Sequence, residues 1–89
     1  MDGDQLVDLA QGLTDRRGFL EFLDALIENR RQYPEEWENN TLELFLTAFA
    51  QFTSNAEGYY QNIGNPDVDL QNPSWRTLAD AFLAAKVYE

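Results

Sequence analysis

Apolar residues recur along this chain at helical spacing, and turn-forming residues cut the pattern into segments. From Asp4 to Gln11, Leu6, Val7, Leu9 and Ala10 make one apolar side, and Gly12 supplies a stop. Thr14 is read as the next N-cap, with Asp15 in the first turn, where the positive end of the helix dipole favours a carboxylate. Phe19, Phe22, Leu23, Leu26 and Ile27 then form an amphipathic stripe, while Glu21, Asp24, Glu28, Arg30 and Arg31 fall mostly outside it. Pro34 disfavours helical geometry at Tyr33, so this helix is predicted to close near Gln32.

Pro34 to Glu38 reads as a connector holding one short helical turn with Pro first. Asn40-Thr41-Leu42-Glu43 resembles a capping box, and Leu42, Phe45, Leu46, Phe49 and Phe52 are the predicted apolar stripe of the helix it opens. Ser54-Asn55-Ala56-Glu57 repeats the cap pattern, which predicts an end near Thr53 and a further short helix carrying Tyr59 and Tyr60. Gly64-Asn65-Pro66 ends that helix, and residues 65–72 form a loop. Asn72 or Ser74 caps the last helix, whose apolar face is Trp75, Leu78, Ala79, Phe82 and Ala85, with Lys86 near its C-terminus. The predicted fold is all-α: a small single-domain helical bundle over residues 1–89, with three main helices plus one or two short ones. Residues 1–13 are read as an N-terminal helix open to loose attachment.

Composition narrows the function. Sixteen Asp and Glu against six Lys and Arg give a formal charge of −10, the wrong sign for a nucleic-acid binder or for docking on anionic membrane. Without Cys or His, the chain lacks the usual thiolate ligands and nucleophiles and the commonest general base. Ser54 and Ser74 are the only serines, and both are better used as caps. No catalytic residue, cofactor or metal site is therefore expected. An EF-hand-type calcium loop begun at Asn65 would need Gly at its sixth position and Glu at its twelfth, where this chain has Leu70 and Arg76. The acidic N-terminus and the lack of a long apolar run predict neither a signal peptide nor a membrane span, and hence a cytoplasmic protein.

The charges are unevenly placed. No basic residue lies between Arg31 and Arg76, whereas Glu35, Glu36, Glu38, Glu43, Glu57, Asp67 and Asp69 all fall there. Such a stretch can simply keep a small protein soluble, or it can steer a basic partner onto the surface. Trp37 among Glu35, Glu36 and Glu38 is either a plug for one end of the bundle or an interface anchor, and Tyr59-Tyr60 poses the same choice. Adjacent helical positions point about 100° apart, so one tyrosine is expected in the core and one at the surface. The expected partner-binding set is Glu35, Glu36, Trp37, Glu38, Tyr59, Tyr60, Asp67 and Asp69. Arg76 is expected to pair with a carboxylate across the bundle, Glu38 or Glu43.

Several separated segments carry a resemblance: Trp37-Glu38-Asn39, Thr41-Leu42-Glu43-x-Phe45-Leu46, Gly58-Tyr59-Tyr60-x-Asn62, Pro73-Ser74-Trp75-Arg76 and Ala84-Ala85-Lys86-Val87-Tyr88-Glu89. Over roughly residues 14–89 the chain resembles a family of short, acidic bacterial proteins classed as a domain of unknown function. The resemblance implies a stand-alone bacterial or phage-borne domain, and it brings no catalytic or ligand residues with it. The expected function is that of a non-enzymatic acidic binding protein. It would mask a basic surface of a partner, such as a nuclease or nucleic-acid-binding protein, in an immunity or inhibitor role. The alternatives are a DNA mimic acting on restriction or CRISPR machinery, and a structural or adaptor subunit that binds through an apolar patch.

Overall fold

The computed structural model describes residues 1–88. Four α-helices follow one another: α1 (Gly3–Gln11), α2 (Arg16–Gln32), α3 (Leu42–Asn62) and α4 (Trp75–Val87), with a 3-10 turn at Pro34–Glu36. Among the described residues there is no strand. Glu89, which closes the last of the resembling segments, lies outside them.

Each helix starts where a side chain satisfies a free backbone amide. Asp2 accepts from the Gln5 amide at 3.0 Å while the Gln5 side chain accepts from the Asp2 amide at 2.9 Å, a reciprocal capping box. Asp15, not Thr14, caps α2 by accepting from the Gly18 amide at 2.7 Å. Its carboxylate adds charge to the hydrogen bond, which a threonine hydroxyl does not. Thr41 caps α3, and Ser74 caps α4. The end of α3 is a Schellman motif: the Gly64 amide donates to Gln61 O at 3.2 Å and the Asn65 amide to Tyr60 O at 2.8 Å. Gly64 takes φ of 81°, a left-handed conformation that glycine adopts without steric cost.

Helix α4 is the centre of the assembly. It packs against α3 on one side and against α1 and α2 on the other. Phe22, Ala10, Leu13 and Ala79 are buried together beneath Leu9, Phe19, Trp75 and Leu83. A second cluster joins Phe52, Ala56 and Tyr60 of α3 to Ala81 of α4. Phe82 links the halves, its ring 6.0 Å from Phe19, 6.1 Å from Phe45 and 5.4 Å from Phe49 between centroids.

Three expectations are corrected here. The N-terminal segment is not loosely attached: Leu6 and Ala10 are fully buried, and α1 packs on both α2 and α4. Helix α3 does not break near Thr53, because Phe52, Ala56 and Tyr60 extend its buried face at four-residue spacing. Burial along α4 thus outweighs the local cap signal at Ser54, and the Thr53 hydroxyl bonds back to Phe49 O at 2.8 Å inside the continuous helix. Finally, Leu42 and Leu46 are not core residues. They are 74% and 55% exposed, and Ala48 takes the buried position instead.

Candidate functional site

The acidic connector folds inward at its middle. Asn29, on the last turns of α2, is fully buried. Its amide donates to Glu36 Oε1 at 2.9 Å and to Met1 O at 3.0 Å, while its carbonyl accepts from Trp37 Nε1 at 2.8 Å. Every strong polar capacity of that side chain except a second acceptor lone pair is thereby used. Glu36 also receives Lys86 Nζ at 3.4 Å, and the same ammonium stands 5.6 Å from the Trp37 ring centroid. The Asn29 amide, followed by the Lys86 charge, holds the Glu36 carboxyl below the ordinary glutamate range. Lys86 lies in the last turn of α4, as expected from its place near the helix C-terminus; it is also only 5% exposed and closes a polar cluster between α2, the connector and α4.

Beside this cluster Asn39 clasps the end of α4. Its amide N–H donates to Lys86 O at 3.0 Å, and its side chain donates to Ala85 O at 2.9 Å and Tyr88 O at 2.8 Å. These are carbonyls that a helix C-terminus leaves free. Trp37 stacks on Phe45 at 6.0 Å, so it is the half-buried plug of this end of the bundle. Of the connector residues tied to partner binding, Glu36 and Trp37 are therefore engaged within the fold, and Glu35 and Glu38 alone are exposed.

The two tyrosines divide as the helical geometry requires. Tyr60 is 3% exposed and Tyr59 41%. The Tyr60 hydroxyl donates to Asp80 Oδ2 at 2.7 Å. Burial pushes both groups up in pKa, and for Asp80 the Tyr60 hydrogen bond and the Arg76 charge offset part of that rise. Arg76 does not reach Glu38 or Glu43; among the described residues it forms no ion pair within 4 Å, and its charge acts on Asp80 one turn further along α4. Asp67 is exposed and apart from this group. Asp69 is spent on its own loop, accepting from the Gln71 amide at 3.0 Å and the Asn72 side chain at 3.1 Å. Among the described residues, no group of three or more acidic side chains is placed to hold a metal ion.

Tyr59 opens onto a groove of about 890 Å³ between α1, the C-terminal half of α3, and α4. Val7, Tyr59, Ile63 and Val87 give it an apolar lining, each between 41% and 49% exposed. Glu57, Arg76 and Asp80 add charge to its wall. The groove exists because α1 and α3 both pack on α4 and leave the gap between them unfilled. Ile63 and Val87 escaped the sequence reading. Their signal was present all the same, as apolar residues just past the last polar turn of α3 and off the apolar face of α4.

No helix among the described residues is long and apolar enough to cross a membrane. No curated protein and no solved structure matches the chain. A family model does, over residues 15–89, which takes in α2, the connector, α3 and α4, including Asn29, Asn39 and Lys86. The chain belongs to that family, described as a family of unknown function (DUF7660).

Proposed function

We propose that this domain is a non-enzymatic binding protein that masks a basic surface of a partner protein, in an inhibitor or immunity role. The carrying observation is that the exposed basic side chains are confined to α2, where Glu21, Asp24 and Glu28 are exposed among them, and the other elements expose acidic ones. Arg16, Arg17, Arg30 and Arg31 are exposed on α2, whereas Lys86 is buried and Arg76 stands beside Asp80. Asp4, Asp8, Glu35, Glu38, Glu43, Glu57, Asp67 and Asp69 are all exposed on the other elements. That surface attracts cationic partners at long range and rejects anionic ones. The groove supplies what charge alone lacks, an apolar anchor site edged by Glu57 and by the acidic α1 helix. The occupant is a basic segment of the partner that presents an aromatic or aliphatic side chain to Tyr59 and Ile63.

The test is association kinetics on the partner captured from the native host. The Asp8→Lys/Glu57→Lys variant should associate more slowly than wild type, and wild-type association should slow as salt rises, since screening shortens the field to about 8 Å at physiological ionic strength. A control of equal charge on α2, Glu21→Lys/Asp24→Lys, should lose much less. Ile63→Glu should abolish the complex while leaving the fold intact. Equal losses for the two charge variants would reduce the acidic surface to a solubility feature. A complex that survives Ile63→Glu would remove the groove from the interface.

A further inference from the structure

A second open surface lies away from that groove, between α2 and α3. On α2, Leu20, Leu23 and Ile27 fall on one face, and on α3, Leu42, Phe45 and Leu46 do the same. Leu20, Ile27, Leu42 and Leu46, at 58%, 51%, 74% and 55%, are the most exposed large hydrophobic residues of the described chain. Helix α4 holds the two helices apart. Between them runs an apolar trough of about 390 Å³, lined by Leu23, Ile27, Leu42, Phe45 and Phe82, with Trp37 at one end. The bundle here lacks the helix that would complete it, and contiguous apolar surface of this kind is rarely left bare by a soluble monomer.

We propose that this seam is a self-association surface, occupied by the same seam of a second copy of this chain. Charge selects that occupant. On the α2 bank, Asp24 and Glu28 are exposed beside Leu23 and Ile27 but outside the trough lining, and Glu28 pairs with Arg31 at 2.7 Å. The charged side chain that does line the trough is Arg30, which among the described residues has no carboxylate within 4 Å. The α3 bank carries Glu43 next to Leu42, and Glu38 between Trp37 and Asn39, which both line the trough. A uniformly basic segment would meet Arg30, and a uniformly acidic one would meet Glu38 and Glu43. A two-fold arrangement that sets the α2 bank of one copy against the α3 bank of the other brings Arg30 of each copy towards Glu38 and Glu43 of its partner, two symmetry-related contacts of opposite sign. Apolar burial drives the contact, while these exposed pairs set its register.

This proposal is independent of the partner-masking groove, and salt separates the two. Each copy carries −10, so the net repulsion between copies is screened by salt and self-association tightens as ionic strength rises. Docking of a basic partner weakens under the same change. The experiment is sedimentation velocity with native mass spectrometry on the full chain across the micromolar range. Wild type should form a dimer, and Leu42→Glu should weaken it by at least about tenfold, a change of about 1.4 kcal/mol. At dilutions where both proteins are monomeric, its thermal midpoint should match the wild-type value, because Leu42 is mostly exposed in the single chain. Arg30→Glu and Glu38→Arg should each weaken self-association, and mixing these two variants should yield a heterodimer. A wild-type chain that stays monomeric throughout would overturn the proposal, even if a foreign helix were found in the seam. A dimer indifferent to Leu42→Glu, or one that loosens as salt rises, would overturn it too.

Discussion

Replacing Asn29 by Ala should be among the most damaging single changes in this protein, although no ligand touches the residue. The substitution removes one acceptor and two donors from a fully buried site. Trp37 Nε1 loses its partner at 2.8 Å, Glu36 loses its nearest neutral donor at 2.9 Å, and Met1 O loses one at 3.0 Å. A neutral hydrogen bond is worth about 1 kcal/mol and one to a charged group about 1.5–3, so the sum is roughly 3–5 kcal/mol. That is a large fraction of the 5–15 kcal/mol or so that holds a domain of this kind together. At roughly 4–8 °C per kcal/mol for a chain this short, the thermal midpoint should fall by at least about 12 °C. Urea and thermal unfolding, followed by circular dichroism and by Trp37 fluorescence in a Trp75→Phe background, measure it. Asn29→Asp sharpens the test. It keeps the acceptor for Trp37 but sets a second carboxylate against Glu36, so at neutral pH it should be worse than Ala and should recover on acidification as the pair takes up a proton. An Asn29→Ala protein melting within a few degrees of wild type would refute the account of the polar cluster.

Three further variants test the interior of α3 and the titrating groups. Gly58 lies inside α3 with open space where a Cβ would go, so Gly58→Ala should stabilise by about 0.5–1 kcal/mol in thermal melts; a loss of stability would mean the helix is broken there after all. Glu36 is held below its ordinary value of 4.5, so its contribution is present above that pH and is lost as pH falls through the folded value. Asp80 is raised above 3.8, so its contribution declines as pH rises from there through its own folded value. Melting scans between about pH 3 and 7 should therefore show a shallower acid limb for Glu36→Gln and a smaller decline towards neutrality for Asp80→Asn. The same pH profile for both variants and wild type would contradict these assignments.

Helix α2 was legible because its stripe from Phe19 to Ile27 is long and Pro34 closes it without ambiguity. Helix α3 was misdivided because Ser54-Asn55-Ala56-Glu57 is a sound N-cap taken locally, and only packing of Ala56 and Tyr60 in the α3–α4 cluster shows that the helix runs on. Asn29 went unnoticed for a related reason. It continues the Phe22–Leu26 face of α2, and a polar residue on an apolar face is the available hint of a buried partner. What a linear pattern does not encode is that Asn29, Glu36, Trp37 and Lys86 meet. Lys86 comes from 50 residues beyond Glu36, so its pairing depends on the whole chain's path. The open seam and the groove are hidden likewise, since both arise from the central place of α4. Of the acidic connector that the sequence singles out, Glu36 and Trp37 serve the fold, while Glu35 and Glu38 stay exposed.

The Asn39 clasp on α4 has a consequence for the order of events when the chain is made. Its side chain reaches Ala85 O across 46 residues, and closing a loop of that length costs about 3.4 kcal/mol of chain entropy beyond a constant term. During synthesis α1, α2 and α3 leave the ribosome before α4, so the nascent chain has α1 against α2 alone and α3 without the helix that it packs on. Folding then waits on residues 75–87 and proceeds in one cooperative step, rather than growing outward from the N-terminus. A ribosome stalled ahead of Trp75, or a protease cut in the 65–72 loop, would not leave a smaller folded domain. It would leave a sticky fragment with Phe22 and Phe52 uncovered, a substrate for chaperones and proteases.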